Sequence, residues 1–290
     1  MAKVGFIGLG NMGNPMVRNL AQAGNDVVLY DQNGEQLQTV ARDIGARAAT
    51  SAADFAGVEA IVTMLPTSKI VASALFDWDG GIPKHLASGT VVIDMSSSDP
   101  TETVELGARL REFAVDLVDA PVSGGVPKAA AGTLSIMLGT DSEAAADKAM
   151  PFIDSMSSKI FRTGKLGTGH AMKALNNFVA AASFTAACEA LVAGERFGLE
   201  PQVMVDIFNA STGQSFVTTN FLAEHVVHKK FATGFGLALM TKDVAIARDL
   251  TAAMGHEAPV CSAVTSTLSD ALEQLGPVDH SAAMKYWESR

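Results

Sequence analysis

The stretch KVGFIGLGNMGNPMVRNL (residues 3–20) decides the fold. A short apolar run is followed by three glycines and then by an apolar stretch of helical character, so it reads as strand, turn and helix. Glycine inside either element costs stability, so bare backbone must be required at Gly8, Gly10 and Gly13. In this context Gly8 permits a tight turn, Gly10 lets backbone approach a pyrophosphate, and Gly13 lets helix and strand pack closely. The free N–H groups of the first helical turn then hold the phosphates, aided by the helix dipole. Asp31 ends the next apolar run, about 20 residues further on, where a carboxylate accepts from a ribose hydroxyl and repels a 2′-phosphate. The following Gln32, Asn33 and Gly34 supply no arginine for such a phosphate, so NAD is expected rather than NADP.

Outward from this unit, short apolar runs alternate with helix-length segments. Strands are expected at 4–7, 27–30, 60–64, 91–95, 117–119, 134–138 and 159–161, with helices near 12–23, 33–44, 68–76, 100–113 and 142–154. Continuous rather than alternating apolar strands predict a sheet covered on both faces, and the βαβ rhythm makes it mostly parallel. The expected fold is therefore α/β, with a doubly wound Rossmann-type domain over residues 1–163. After FRTGKLGTG the rhythm changes, and an all-helical substrate and dimerisation domain is expected over 164–290, broken near 198–201, 211–213, 258–259 and 276–277. Its first helix, 170–196, would be about 40 Å long. ALNNFVAAASFTAACEALVAG is apolar on almost every side, which predicts that a second subunit covers part of it, in a homodimer or homotetramer.

Composition narrows the function classes. With 290 residues, two domains are the default, and 48% apolar against 18% charged residues describes a globular chain with a large core. A formal net charge of −10 with no cluster of lysine and arginine argues against nucleic acid. Cys188 and Cys261 form no close pair for a metal and sit in apolar surroundings, as expected of buried thiols in a reducing cytoplasm. No metal site is expected. The stretch 174–188 carries Asn176 and Asn177 and falls short of the roughly 18–20 apolar residues of a membrane span.

Several stretches bear chemistry. TMLPTS (63–68) and DMSSSDP (94–100) follow strands whose carboxyl ends are where doubly wound sheets bind ligands, although Ser98 or Asp99 would serve equally as an ordinary helix cap. Ser123, Gly124 and Gly125 offer a hydroxyl and exposed N–H groups to a carboxylate, or simply a tight turn. In GTGHAMKALNNF, Lys173 is followed at i+3 and i+4 by Asn176 and Asn177, which share its face of an otherwise apolar helix. Burying them is costly unless they meet ligands or one another. His170 lies one turn earlier and reads as structural. FGLALMTKDVAIARDL places Phe235, Leu239, Lys242 and Asp243 on adjoining turns, with a surface charge pair as the plain alternative for the last two.

Together GFIGLGNMG, DAPVSGG, GTGHAMKALNN, LMTKD and DHSAAMKYWE resemble the β-hydroxyacid dehydrogenase family, which includes 3-hydroxyisobutyrate dehydrogenase and tartronate semialdehyde reductase and is related to 6-phosphogluconate dehydrogenase. The resemblance implies an NAD-dependent enzyme passing hydride between nicotinamide and a small anionic 3-hydroxyacid or its semialdehyde. It implies that Lys173 is the general acid/base, that Asn177 orients the substrate, and that Ser123, Gly124 and Gly125 hold its carboxylate. Gly8, Leu9, Gly10, Asn11, Met12, Gly13 and Asp31 would bind the cofactor. Leu65, Pro66, Ser96 and Ser97 would line the nicotinamide side, and Phe235 and Lys242 would reach cofactor or substrate. NASTGQSFVTTNF (209–221) departs from the named members and is the expected seat of substrate selectivity. The competing readings are an imine reductase or another oxidoreductase of this architecture, and a nucleotide-sensing module without catalysis.

Overall fold

The computed structural model describes residues 2–290, which fall into two compact units divided at Lys173 and Ala174. In the first unit, β1 (Lys3–Ile7), β2 (Asp26–Tyr30), β3 (Arg47–Ala48), β4 (Ala60–Thr63), β5 (Val91–Asp94) and β6 (Asp116–Asp119) are parallel and lie in the order β3-β2-β1-β4-β5-β6. Beyond β6 the sheet changes direction. β8 (Leu134–Gly139) runs antiparallel to β6 and to the short β7 (Val122–Ser123), and β9 (Ser157–Gly164) runs parallel to β8. The sheet is thus mostly parallel, as expected. The two-residue strands β3 and β7 escape the sequence reading because neither is long enough to show a pattern.

Alternate residues along β1, β2, β4, β5 and β6 enter different cores, which is why these strands read as unbroken apolar runs. Val4, Phe6, Val27, Leu29, Val62 and Ile93 pack on one face, beneath α1 (Gly13–Gln22), α2 (Gly34–Ile44) and α6 (Glu143–Asp154). Ile7, Val28, Ile61, Val92 and Leu117 pack on the other, beneath α3 (Ser68–Phe76) and α4 (Pro100–Arg111). Each such fully buried side chain contributes about 1.5–3 kcal/mol. A short α5 (Gly125–Ala130) follows β7.

α7 (Thr168–Phe197) begins in the first unit and continues into the second. The remaining elements are α8 (Pro201–Ala210), a π-helical segment (Thr218–Val227), α9 (Leu237–Ala253), α10 (Pro259–Leu275), a 3₁₀ turn (His280–Ala283) and α11 (Met284–Glu288). The only pairing of strand type recorded among the described residues of this unit is the single bridge Gly236–Asp279. Ala181, Phe184, Cys188 and Leu191 bury one side of α7 in the helical core. By length and composition α7 would suffice to cross a membrane, which the shorter stretch read from sequence does not. That buried side is what packs it as a core helix.

Candidate functional site

The glycine turn lies at the point where the chain order reverses, since β1 is flanked by β2 on one side and β4 on the other. Ligands of doubly wound sheets bind at such a point, outside the strands' carboxyl ends. Each glycine has its own reason. Gly8 has φ +99°, and a Cβ there would strike the Met64 carbonyl oxygen at the end of β4. A Cβ on Gly13 would collide with the Gly8 carbonyl oxygen, so α1 can start this close to the turn only without one. Around Gly10 no atom lies within 4 Å of where a Cβ would be, so its bare side faces open space.

That space is an open cavity of about 380 Å³, lined among others by Leu9, Gly10, Asn14, Asp31, Asn33 and Gln36. The Asp31 carboxylate accepts from the Leu9 amide at 2.6 Å and the Asn33 amide at 2.7 Å. Gln36 Nε2 donates to the Leu9 carbonyl at 3.1 Å. Buried Leu9 therefore anchors the loop, while Asn11 is exposed and Met12 occupies the N-cap of α1. α2, α3, α4 and α6 are capped by the side chains of Asn33, Thr67, Asp99 and Ser142, but α1 has no side-chain cap. In its first turn the Asn14 amide already donates to the Gly10 carbonyl at 3.0 Å and Pro15 carries no N–H, which leaves the Gly13 amide and the glycine loop before it to meet an anion. An open face at Gly10, a helix start without a side-chain cap and a carboxylate following β2 fit a dinucleotide.

Beyond β4 and β5 the expected nicotinamide residues divide by burial. Leu65 is half-buried and Pro66 exposed, and Pro66 precedes the cap of α3 rather than opening that helix. Ser96 is fully buried, and its Oγ accepts the Leu65 amide at 2.9 Å, so it braces this turn from beneath. Ser97 is half-buried. Asp99 caps α4, whereas Ser98 donates its hydroxyl to Asp94 at 2.8 Å. After β6, Ser123 closes β7, and Gly124 (φ +137°) and Gly125 (φ +66°) turn the exposed chain into α5.

Lys173 stands half-buried in the second turn of α7. One turn on, Asn177 is buried and donates from Nδ2 to Asp243 Oδ2 at 2.6 Å, while its Oδ1 accepts from Asn176 at 3.3 Å. Asp243 is 2% exposed, and its other oxygen lies 2.9 Å from Lys242 Nζ. The plain alternative of a surface charge pair does not hold for Asp243, which is a buried strut bonded to Asn177. Phe235 does not share a helix with Lys242, because α9 begins at Leu237. It precedes the Gly236 cap, and its ring packs edge-on against His280 with centroids 6.0 Å apart. The bonds of Asp94 to Ser98 and of Asp243 to Asn177 are not readable from sequence, although both aspartates stand in quoted motifs.

Comparison with known proteins gives the family. Residues 3–164 match the model of the NAD-binding domain of 6-phosphogluconate dehydrogenase, and residues 167–287 match that of the NAD-binding domain of NADP-dependent 3-hydroxyisobutyrate dehydrogenase. This chain belongs to the β-hydroxyacid dehydrogenase family. It is 35% identical to 2-(hydroxymethyl)glutarate dehydrogenase of Eubacterium barkeri, over 99% of this chain and 95% of that one. It is 34% identical to an NAD-dependent L-serine dehydrogenase of Pseudomonas aeruginosa, over 94% and 93%. The 3-hydroxyisobutyrate dehydrogenase of Mycobacterium tuberculosis, solved with L-serine, superposes with a TM-score of 0.89 at 32% identity, covering 99% of both chains. As a member of this family the chain is an NAD-dependent oxidoreductase acting on a CH–OH group, and the sensor reading falls away.

Proposed function

We propose that this dehydrogenase oxidises a small anionic 3-hydroxyacid, or reduces the matching semialdehyde, with Lys173 as general acid/base. NAD, when bound, supplies the chemistry of hydride transfer at the carbinol carbon. Lys173, as the neutral amine, takes the hydroxyl proton during oxidation and, as the ammonium, returns it to the carbonyl oxygen during reduction. Asn177 orients the substrate oxygen beside Lys173, and Lys242 adds positive charge for an anion. The hydroxyl of Ser123 and the N–H groups of the Gly124 and Gly125 turn receive the carboxylate. Asp31 selects NAD over NADP. The observation that carries this reading is the pairing, one turn apart on α7, of half-buried Lys173 with a buried Asn177 locked by Asp243. An amide held so firmly next to a lysine is prepared to orient a ligand. Retention of the lysine argues against an imine reductase.

The relatives are named for 2-(hydroxymethyl)glutarate, L-serine and 3-hydroxyisobutyrate. As named, each presents a hydroxymethyl group near a carboxylate. The segment 209–221 supports selectivity among them here, since it runs from the end of α8 into the π-helical segment and leaves Phe216 71% exposed. π-Helical backbone is frequent at functional sites. We place the enzyme in the cytoplasm as a homodimer or homotetramer; two buried free thiols and apolar side chains exposed on α7 and α8 support this. The test is a screen of small hydroxyacids with NAD, read by absorbance. Lys173→Ala is expected to lower kcat by about 10²-fold or more while NADH still binds. Near-normal turnover in that variant would overturn the assignment.

A further inference from the structure

A buried cluster of titratable side chains stands outside this catalytic set: Asp94 ending β5, Asp119 ending β6 and His170 in the first turn of α7, all 1% exposed or less. Both carboxylates are hubs. Asp94 Oδ1 accepts from the Thr63 hydroxyl at 2.8 Å and the Ser96 amide at 3.1 Å, and its Oδ2 from Ser98. Asp119 accepts the Gly167 amide on Oδ1 and the His170 amide on Oδ2, each at 2.8 Å, and so caps α7 from a neighbouring strand. The imidazole of His170 lies by both, with Nε2 3.7 Å from Asp94 Oδ2 and Nδ1 3.8 Å from Asp119 Oδ2.

Thr103 on α4 fixes one ring proton. Its hydroxyl donates to the Asp99 carbonyl at 2.8 Å, so at 2.8 Å from Nδ1 its oxygen accepts, and Nδ1 carries a hydrogen. Nε2 is buried and has no hydrogen-bond partner. Without a proton it would turn a lone pair toward the Asp94 carboxylate, and two buried carboxylates would flank a neutral ring. With a proton the ring is a cation facing both. Burial pushes the Asp119 carboxyl up, and a positive charge on His170 would be the strongest influence pulling it back. The titratable groups facing the ring are Asp94 from β5 and Asp119 from β6; α4 offers neutral Thr103, and Lys173 follows three residues along α7.

We propose that His170 is a positioning residue held as an imidazolium, whose bridge from Asp94 to Asp119 ties the loop after β5 to the first turn of α7, just ahead of Lys173. Through Asp94 the tie reaches Ser96, and through Ser96 Oγ it reaches Leu65. The backbone beside the expected nicotinamide position and the start of the helix bearing the proton-transfer group are thus set by one network. Its catalytic consequence rests on the function proposed above; the charge of the ring does not.

The first measurement is long-range ¹⁵N–¹H NMR of the ¹⁵N-histidine-labelled protein near neutral pH, with His170 assigned by comparison with His170→Gln. Two protonated-type ring nitrogens are expected, and a neutral imidazole would overturn the bridge. The second compares thermal stability in a cycle of His170→Leu and Asp119→Asn. Losing the Asp119 charge is expected to cost less when the cation is already gone, and additive effects would refute an ionic bridge. His170→Leu should also lower kcat by about 10- to 100-fold with KM for the acid little changed, the signature of a misplaced group. If the wild type turns over no hydroxyacid with NAD yet its ring is cationic, the functional reading fails and the bridge stands. If it is active and the ring is neutral, the bridge fails.

Discussion

At the scale of single residues, the glycine turn shows three unlike reasons for the same amino acid. Gly8 is required by its backbone angle and the Met64 carbonyl, Gly13 by the approach of its own turn, and Gly10 by a space no protein atom fills. Asp31 is the proposed source of the cofactor preference. Its oxygens already accept from Leu9 and Asn33, so it is locked in place before a ribose arrives. Removing a charged acceptor from a ligand hydroxyl costs about 1.5–3 kcal/mol, or about 10- to 100-fold in affinity. Asp31→Ala is therefore expected to raise KM for NAD by that order and to narrow the gap to NADP, as steady-state kinetics with both would show. Unchanged discrimination would remove Asp31 from this role. The Leu65–Ser96 contact belongs to the same scale, and sequence could not show it: hydroxyls at a strand end look alike whether they face ligand or brace the loop.

Among elements, α7 and the approach to α9 carry the functional geometry. The start of α7 was legible from its two glycines, but not its anchor, because Asp119 lies about 50 residues earlier in the chain. The approach to α9 is pinned to the C-terminal 3₁₀ turn. Asp279 accepts from Ser281, Thr233 and the Gly234 amide, and the His280 amide donates to the Phe235 carbonyl at 2.8 Å. Burial alone would raise the Asp279 carboxyl, but these hydrogen bonds outweigh it and hold it below its ordinary 3.8. Burial pushes the His280 imidazole below its ordinary 6.5, against the Phe235 carbonyl and Asp279, which raise it. In both cases the unfolded chain binds the proton more readily. Stability is then full above the unfolded values and falls on acidification, first below about 6.5 through His280 and then below about 3.8 through Asp279. Thermal melts from pH 7 to 5 should show a decline that His280→Gln flattens; an unaltered slope would assign it to other groups.

For the whole molecule, the central question is what covers the apolar surface. Val179 on α7 is 61% exposed, and Val203 and Ile207, one turn apart on α8, are 52% and 56% exposed. Sedimentation is expected to show a dimer or tetramer, and Val203→Lys with Ile207→Glu should shift it toward smaller species. A wild-type monomer at micromolar concentration would refute the oligomer. Sequence by itself determined the parallel sheet, the glycine turn with Asp31, and the helical second half, because strand and helix periodicity, tight turns and apolar runs are local properties of the chain. The helix boundaries 34–44, 68–76 and 143–154 come within a residue of expectation for that reason. Only the tertiary structure decided that Asp243 is a strut rather than a surface charge, that Ser96 faces inward, and that His170 meets two aspartates. Each of those facts joins residues from strands or helices far apart in the chain. Burial and partner, not residue type, set what a polar side chain does there.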